Sequence, residues 1–229
     1  MGGRLPVQDL ISKSLFIKFN PLPSHLFLRC FIMVWGEKMA RERKFSMEEL
    51  YQLTKENLLQ HGYDGFTFSH LADQLEVSRG TIYKYYQNKD ELIMDYMIYD
   101  MNLFLIELKE IEKHTSFEGQ LEFLLDLIFS HSKIYHIIEI GMRMPTNTKK
   151  LRESKAKLDK LHLAMYENLL DFIKLGKAEK KVHSHLPDTL ILGYIFQSIA
   201  IPNHFGIPHD EWVKSLKDII RHGMLTVRN

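Results

Sequence analysis

Between Ser78 and Lys89 the chain reads Ser-Arg-Gly-Thr-Ile-Tyr-Lys-Tyr-Tyr-Gln-Asn-Lys, with three cations, three tyrosines and no carboxylate. That set suits non-covalent recognition of a polyanion rather than bond-making. Arginine and lysine neutralise phosphates, and one carboxylate among them would repel the backbone they approach. Thr81 can read a base edge or a thymine methyl, and Gly80 removes bulk that would hold the helix start away from a groove. Arg79 and Thr81 are therefore the expected base readers. Tyr83, Lys84, Tyr85 and Lys89 are expected on phosphate or sugar, with Thr67 joining them. The competing reading is an ordinary helical hairpin with a solvated basic face; the coincidence of caps, turn and missing acids argues against it.

Covalent chemistry finds no such set. The sequence has no Gly-x-Ser-x-Gly, no phosphate-cradling glycine loop and no His-Glu-x-x-His. Of its twelve histidines, the nearest groupings are His183 with His185 and His204 with His209, and neither comes with cysteine or paired carboxylates at ligand spacing. No enzyme activity, metal or cofactor is expected.

The elements that must carry the recognition residues can be located from caps and periodicity. Thr67 is a helix N-cap, and Leu71, Ala72 and Leu75 give the short helix after it one apolar face. A break at Glu76-Val77 follows, and Ser78 caps a second helix expected to run to about Tyr86, with Ile82 and Tyr86 inward. Two short helices about a tight turn describe a helix-turn-helix. Ahead of it, Ser46-Met47-Glu48-Glu49 is a capping box. The helix it opens should bury Leu50, Leu53, Leu58 and Leu59 and end at Gly62. Behind it, Asn88 caps a long helix expected to reach about Lys113.

On these residues the chain resembles the TetR/AcrR transcriptional repressors. The resemblance lies in Gly62-Tyr63-Asp64-Gly65-Phe66-Thr67, Leu71-Ala72, Val77 to Tyr83, and Tyr86-Gln87-Asn88-Lys89-Asp90-Glu91-Leu92. It covers about residues 45–95, with a looser likeness in the last third. Glu76 stands where such proteins often have glycine, and Tyr85-Tyr86 replaces a commoner His-Phe pair. The resemblance implies an all-α chain with an N-terminal three-helix DNA-binding domain and a C-terminal helical domain for ligand binding and dimerisation. It also implies double-stranded operator DNA, a second copy of the chain and a largely apolar small molecule as partners. The expected pocket wall is Met97, Met101, Phe104, Phe123, Leu127, Met142, Tyr166 and Tyr194, methionine suiting an adaptable cavity. Glu139 could face a cationic ligand, although an exposed carboxylate is the plainer reading.

Composition agrees with an all-α regulator of two parts, because alternating β-branched runs bounded by turns are absent. Net charge is +1, so attraction to DNA must come from a local patch. Residues 1–38 hold five Lys or Arg against two Asp or Glu and show no sustained period. Trp35-Gly36-Glu37-Lys38 must be encoded by purine-rich codons directly before the codon of Met39, resembling a ribosome-binding site. Residues 1–38 are therefore expected to be an extension from a misassigned gene start. The DNA-binding domain is expected over 39–89, opened by a basic arm of Arg41, Arg43 and Lys44, and the ligand-binding and dimerisation domain over 90–229. A single cysteine, Cys30, suits a reducing cytoplasm, and Leu26 to Trp35 is too short and too interrupted to span a bilayer.

Further helices are expected over Phe117 to about Tyr135, His136 to Met144, and Thr148 to Leu175, the last stopped by Gly176. Helices at 187–203 and 208–226 should pair across a two-fold axis through Leu190, Tyr194, Ser198, Trp212, Leu216, Ile219 and Ile220. The expected activity is repression of a palindromic operator with release by a small molecule. A ligand-indifferent architectural or cell-division DNA binder, and a repressor controlled by a partner protein, are the alternatives.

Overall fold

The computed structural model describes residues 45–131 and 135–224. The expectations for residues 1–38, Cys30 and the arm of Arg41, Arg43 and Lys44 lie outside the described residues. Within them the fold is all-α. In chain order come α1 (Met47–Gly65), α2 (Phe68–Gln74), α3 (Arg79–Tyr83), α4 (Lys89–Leu108), α5 (Phe117–Ser130), α6 (Tyr135–Arg143), α7 (Lys149–Asn168), α8 (Leu170–Ala178), α9 (Asp188–Gln197) and α10 (His209–Met224). Short 3₁₀ turns follow α4 at Lys109–Lys113 and α9 at Ser198–Ala200.

The caps form as their residue types dictate. The Ser46 hydroxyl accepts from the Glu49 amide at 2.9 Å while Glu49 reaches back to the Ser46 amide, completing the capping box. Thr67, Asn88, Ser116 and Thr148 each accept from the amide three residues on. Ser78 differs: its hydroxyl pairs with that of Thr81 at 3.0 Å and caps no backbone amide. Gly62, at φ +66°, breaks α1 one turn before its end. Leu59 points outward rather than into the core expected of it. A leucine one position past Leu58 lies about 100° further round the helix, beyond the buried face.

The turn between α2 and α3 explains the departure at position 76. Glu76 takes φ +53°, with its amide donating to Asp73 O at 3.2 Å and the Val77 amide to Ala72 O at 2.9 Å. This is a Schellman closure with glutamate in the left-handed position that glycine usually fills. The same device corrects the expectation for Gly176. That glycine lies inside α8, buried, and the helix ends instead at Ala178, closed by Lys180 at φ +56° with Lys181 N bonded to Gly176 O at 2.8 Å. Glycine is needed at 176 for packing, since a Cβ there would come within 2.6 Å of the Phe117 ring.

Two apolar cores stack along α4. The first joins Leu50 and Leu58 of α1, Leu71 and Ala72 of α2 and Ile82 of α3 to Leu92, Ile93 and Met97 of α4, Ile137 of α6 and Leu151 of α7. The second gathers Leu121, Leu124 and Ile128 of α5, Met165 of α7, Phe172 of α8, Ile191 and Ile195 of α9, and Leu216 and Ile220 of α10. The long α7 expected as one helix is interrupted at Leu169, which divides it into α7 and α8. Polar ties hold α7 to α4, with buried Glu91 accepting from Lys150 at 2.6 Å.

Candidate functional site

The helix-turn-helix presents outward most of the residues expected to meet DNA. Thr67, Arg79, Gly80, Tyr83, Lys84 and Tyr85 are exposed, and Thr81 is half-buried. Local packing fixes the aromatic pair: Tyr83 meets Phe68 edge to face at 5.0 Å and Tyr85 meets Phe45 at 5.7 Å. Tyr83 nonetheless keeps 56% of its surface open. Arg79 only grazes Ser69, at 3.5 Å, so its guanidinium is free to turn elsewhere. Around Gly80 the chain itself leaves space, a Cβ there meeting nothing nearer than Ser78 Oγ at 3.8 Å. α3 is shorter than expected, ending at Tyr83, and Ile82 O closes the remaining turn by accepting from Tyr85 and Tyr86 at 2.9 and 3.1 Å.

Lys89 has another engagement. Its ammonium donates to Tyr63 O at 2.7 Å and lies 4.0 Å from the centre of the Tyr63 ring. The Tyr63 hydroxyl donates in turn to Asp90 at 2.7 Å, which pushes its pKa up to about 12. The end of α1 is thus pinned to the start of α4.

Where the two cores meet, a cavity of about 290 Å³ opens. Of the eight expected wall residues, Met97, Met101, Phe104, Met142 and Tyr166 line it, while Phe123, Leu127 and Tyr194 do not. Leu127 is buried in the second core, Phe123 packs beside it against His114, and Tyr194 faces outward. Residues not expected from sequence complete the wall, among them Tyr96, Asp100, Ile128, Ile137, Gly141, Lys155, His162, Phe196 and Ile199. They come from five helices and a 3₁₀ turn spread along the sequence, and outside the α4 stripe only Met142 and Tyr166 were expected. Glu139 lies away from this cavity, in an open groove between α1 and α6, 3.8 Å from Arg143.

Two close contacts tie cavity residues to the first core and to α1. Gly141 of α6 lies so near Met97 of α4 that a Cβ would come within 2.7 Å of its sulfur. Lys55 of α1 pairs with Asp100, a cavity residue, at 3.5 Å. Burial, with the neighbouring Asp100 carboxylate, pushes the Tyr96 hydroxyl well above the ordinary phenol range, although the two groups do not reach full hydrogen-bond geometry.

On the outer face of α9 and α10, Leu190, Tyr194 and Ile219 are exposed, as are Ile201 and Phe205 in the connection between the helices. Among the other residues expected at a dimer contact, Ser198, Leu216 and Ile220 are buried within the protomer and Trp212 packs partly against the second core. Among the described residues no cluster of three His, Cys, Asp or Glu side chains could hold a metal, and no helix is long and apolar enough to cross a membrane.

Comparison with known proteins agrees with this architecture. The family model for bacterial regulatory proteins, tetR family, matches residues 50–95. An HTH-type transcriptional regulator of Staphylococcus aureus (strain bovine RF122 / ET3-1) is 23% identical over 146 residues, 61% of this chain and 72% of the relative. A putative transcriptional regulator from Saccharomonospora viridis, solved in complex with choline, shares the fold at a TM-score of 0.65 and 15% identity, over 79% of this chain and 98% of that one. FadR of Bacillus subtilis, solved with stearoyl-CoA, does so at 0.56 and 19% identity, over 78% of this chain and 100% of that one. The helix-turn-helix built on residues 67–86 falls within the stretch that the tetR-family model matches, so residues 50–95 are similar to the DNA-binding domain of bacterial tetR-family regulators, and the rest of the chain shares its fold with the regulators named above.

Proposed function

We propose that the protein is a repressor which grips a palindromic operator as a two-fold dimer and lets go when a small, largely apolar molecule fills the cavity between its cores. The observation that carries this is the course of α4. The helix starts at the Asn88 cap beside the reading head and runs on to form one wall of the cavity with Tyr96, Met97, Asp100, Met101 and Phe104. A change in that wall is a change in the angle of the head. A ligand works by binding the tilted arrangement better than the DNA-competent one, and reversing a 99:1 population takes about 10⁴-fold preference.

On DNA, Arg79 and Thr81 read base edges, with Gly80 allowing the approach that its open surroundings favour. Tyr83, Lys84, Tyr85 and Thr67 hold phosphate or sugar. Lys89 joins them by exchanging the Tyr63 carbonyl for a phosphate. The dimer forms through the exposed faces of α9 and α10, with Leu190, Tyr194 and Ile219 at its centre and Ser198, Trp212, Leu216 and Ile220 supporting them from beneath. Paired heads then address half-sites about 34–36 Å apart.

Selection of bound fragments from random DNA, read beside sedimentation of the free protein, tests this. The expected result is an inverted repeat with half-site centres about one helical turn apart, bound by a dimer. A monomer at micromolar concentration, or a selected pool with no repeat, would refute the dimeric repressor and favour an architectural role.

A further inference from the structure

The cavity's charges are unequal, and the inequality identifies what fits. Of its ionisable lining, Lys155 is already matched by Asp159 at 2.5 Å. His131 is paired with Glu107 at 3.0 Å. Burial pulls the His162 pKa down, keeping that ring neutral. Asp100 is the carboxylate whose cationic partner lies outside the lining: Lys55, on α1, at 3.5 Å makes a looser pair than that of Lys155 with Asp159. Beside it the Tyr96 hydroxyl, on a residue only 1% exposed, feels the Asp100 charge without completing a hydrogen bond to it.

The same cavity is lined by a chain of rings. His131 meets Phe104 at 5.6 Å, Phe104 meets Phe196 at 6.4 Å, Phe196 meets Tyr166 at 5.6 Å and Tyr166 meets His162 at 5.7 Å. Aromatic faces attract a desolvated cation, whereas an anionic head would find no uncommitted lysine or arginine here.

Building on the ligand-release reading above, we propose that the cavity binds a cationic amphiphile whose charged head takes Asp100 from Lys55. The apolar tail then lies among Met97, Met101 and Ile128. Exchange of partners at Asp100 removes a tie between α1 of the reading head and α4, so occupancy and the posture of the head are linked through one carboxylate. Attraction between the ligand's charge and Asp100 does not add to the Lys55 pair but competes with it. That competition gives the proposal a signature that simple pocket-filling lacks.

Three probes of one tail length separate the outcomes: decyltrimethylammonium, 1-decanol and decanoate, each titrated by calorimetry into the full chain. The cation should bind at least tenfold more tightly than decanoate. Asp100→Asn should weaken the cation about tenfold or more and leave decanol unchanged. Lys55→Met should tighten the cation several-fold, because its competitor is gone. Equal binding of all three probes, no binding by any, or Lys55→Met weakening the cation would overturn the assignment. Parallel titrations against operator-bound protein keep the two readings apart. Release by decanol or decanoate with no preference for the cation preserves ligand release and sinks this inference. Cation binding through Asp100 without DNA release preserves the site and sinks ligand release.

Discussion

Replacing Gly141 by alanine should uncouple ligand response from stability. The new methyl carbon would come within 2.7 Å of the Met97 sulfur, whereas ordinary carbon contacts are about 3.5–4.0 Å. The Met97 methyl carbon would be met more closely still, so the end of the side chain must retreat by more than about an ångström. It has three rotatable bonds and borders an open cavity, so it can turn into that space instead of forcing α6 off α4. An imperfect rotamer costs about 0.5–1.5 kcal/mol. Removing glycine from a helix interior returns about 0.8–1.0 kcal/mol. The two nearly cancel, and denaturant unfolding should show a change within about 1 kcal/mol. The ligand feels the difference, because the displaced thioether occupies room worth one or two methylenes. At about 0.8 kcal/mol each, binding of decyltrimethylammonium should weaken about four- to fifteen-fold, and that of 1-decanol by the same factor. Operator affinity without ligand should be unchanged. Calorimetry and fluorescence anisotropy on labelled operator read all three quantities. A loss of more than about 3 kcal/mol in stability would mean that Met97 cannot move and that the contact is rigid core. Unchanged ligand binding would mean that the cavity beside Met97 is not the site.

Other perturbations follow from particular contacts. Glu76→Gly relieves a left-handed glutamate costing about 1–2 kcal/mol while loosening the unfolded chain by about 0.5–1 kcal/mol, so thermal melting should rise by a few degrees with operator binding intact. Arg79→Ala should relax preference at one base pair by about 1–3 kcal/mol, whereas Lys84→Ala should weaken all sequences alike and lower the salt slope by about one; selection and salt titration distinguish them, and identical behaviour refutes the division of roles. Burial raises the Asp95 pKa above the usual carboxylate range, although Lys150 opposes the shift. With its folded pKa above its unfolded one, its contribution is full at low pH and is lost as pH rises through the folded value. Asp95→Asn should therefore flatten the fall in stability across that window, as followed by urea unfolding at stepped pH.

The local part of this molecule was legible because its signals are local. Ser46, Thr67 and Asn88 announce their helices through side chains that satisfy amides three residues away, and no distant contact is needed to read them. The reading head follows from these caps and from the missing acids between Ser78 and Lys89. Positions set by packing were another matter. Gly176 looks like a helix stop in sequence, but the Phe117 ring explains it, and the stop falls on Lys180, whose type gives no hint of a left-handed backbone. The commitment of Lys89 to the Tyr63 carbonyl is equally invisible without knowing that α1 ends beside the start of α4. The cavity wall was half legible for the same reason. α4 contributes its stripe at helical spacing, whereas Ile137, Gly141, His162 and Phe196 meet only when α6, α7 and α9 close around it.

The more consequential feature is where the apolar cores divide. A boundary near residue 89 separates recognition residues from the rest by sequence, but the first core continues through Leu92, Ile93 and Met97 and takes in Ile137 and Leu151. The head is packed against the front half of α4 and against α6 and α7, so it cannot swing about Asn88 alone without opening that core. At about 25 cal/mol per Å² of apolar surface exposed, opening it would oppose a hinge there. Movement is easier where packing is already interrupted, at the cavity between the cores, where Tyr96, Met97 and Asp100 border empty space. On the ligand-release reading proposed above, a ligand there would act where the packing of the protomer is interrupted. The front core, α4 included as far as Met97, would then move as one body, and on that reading the side chains that set its angle are those that would meet the ligand.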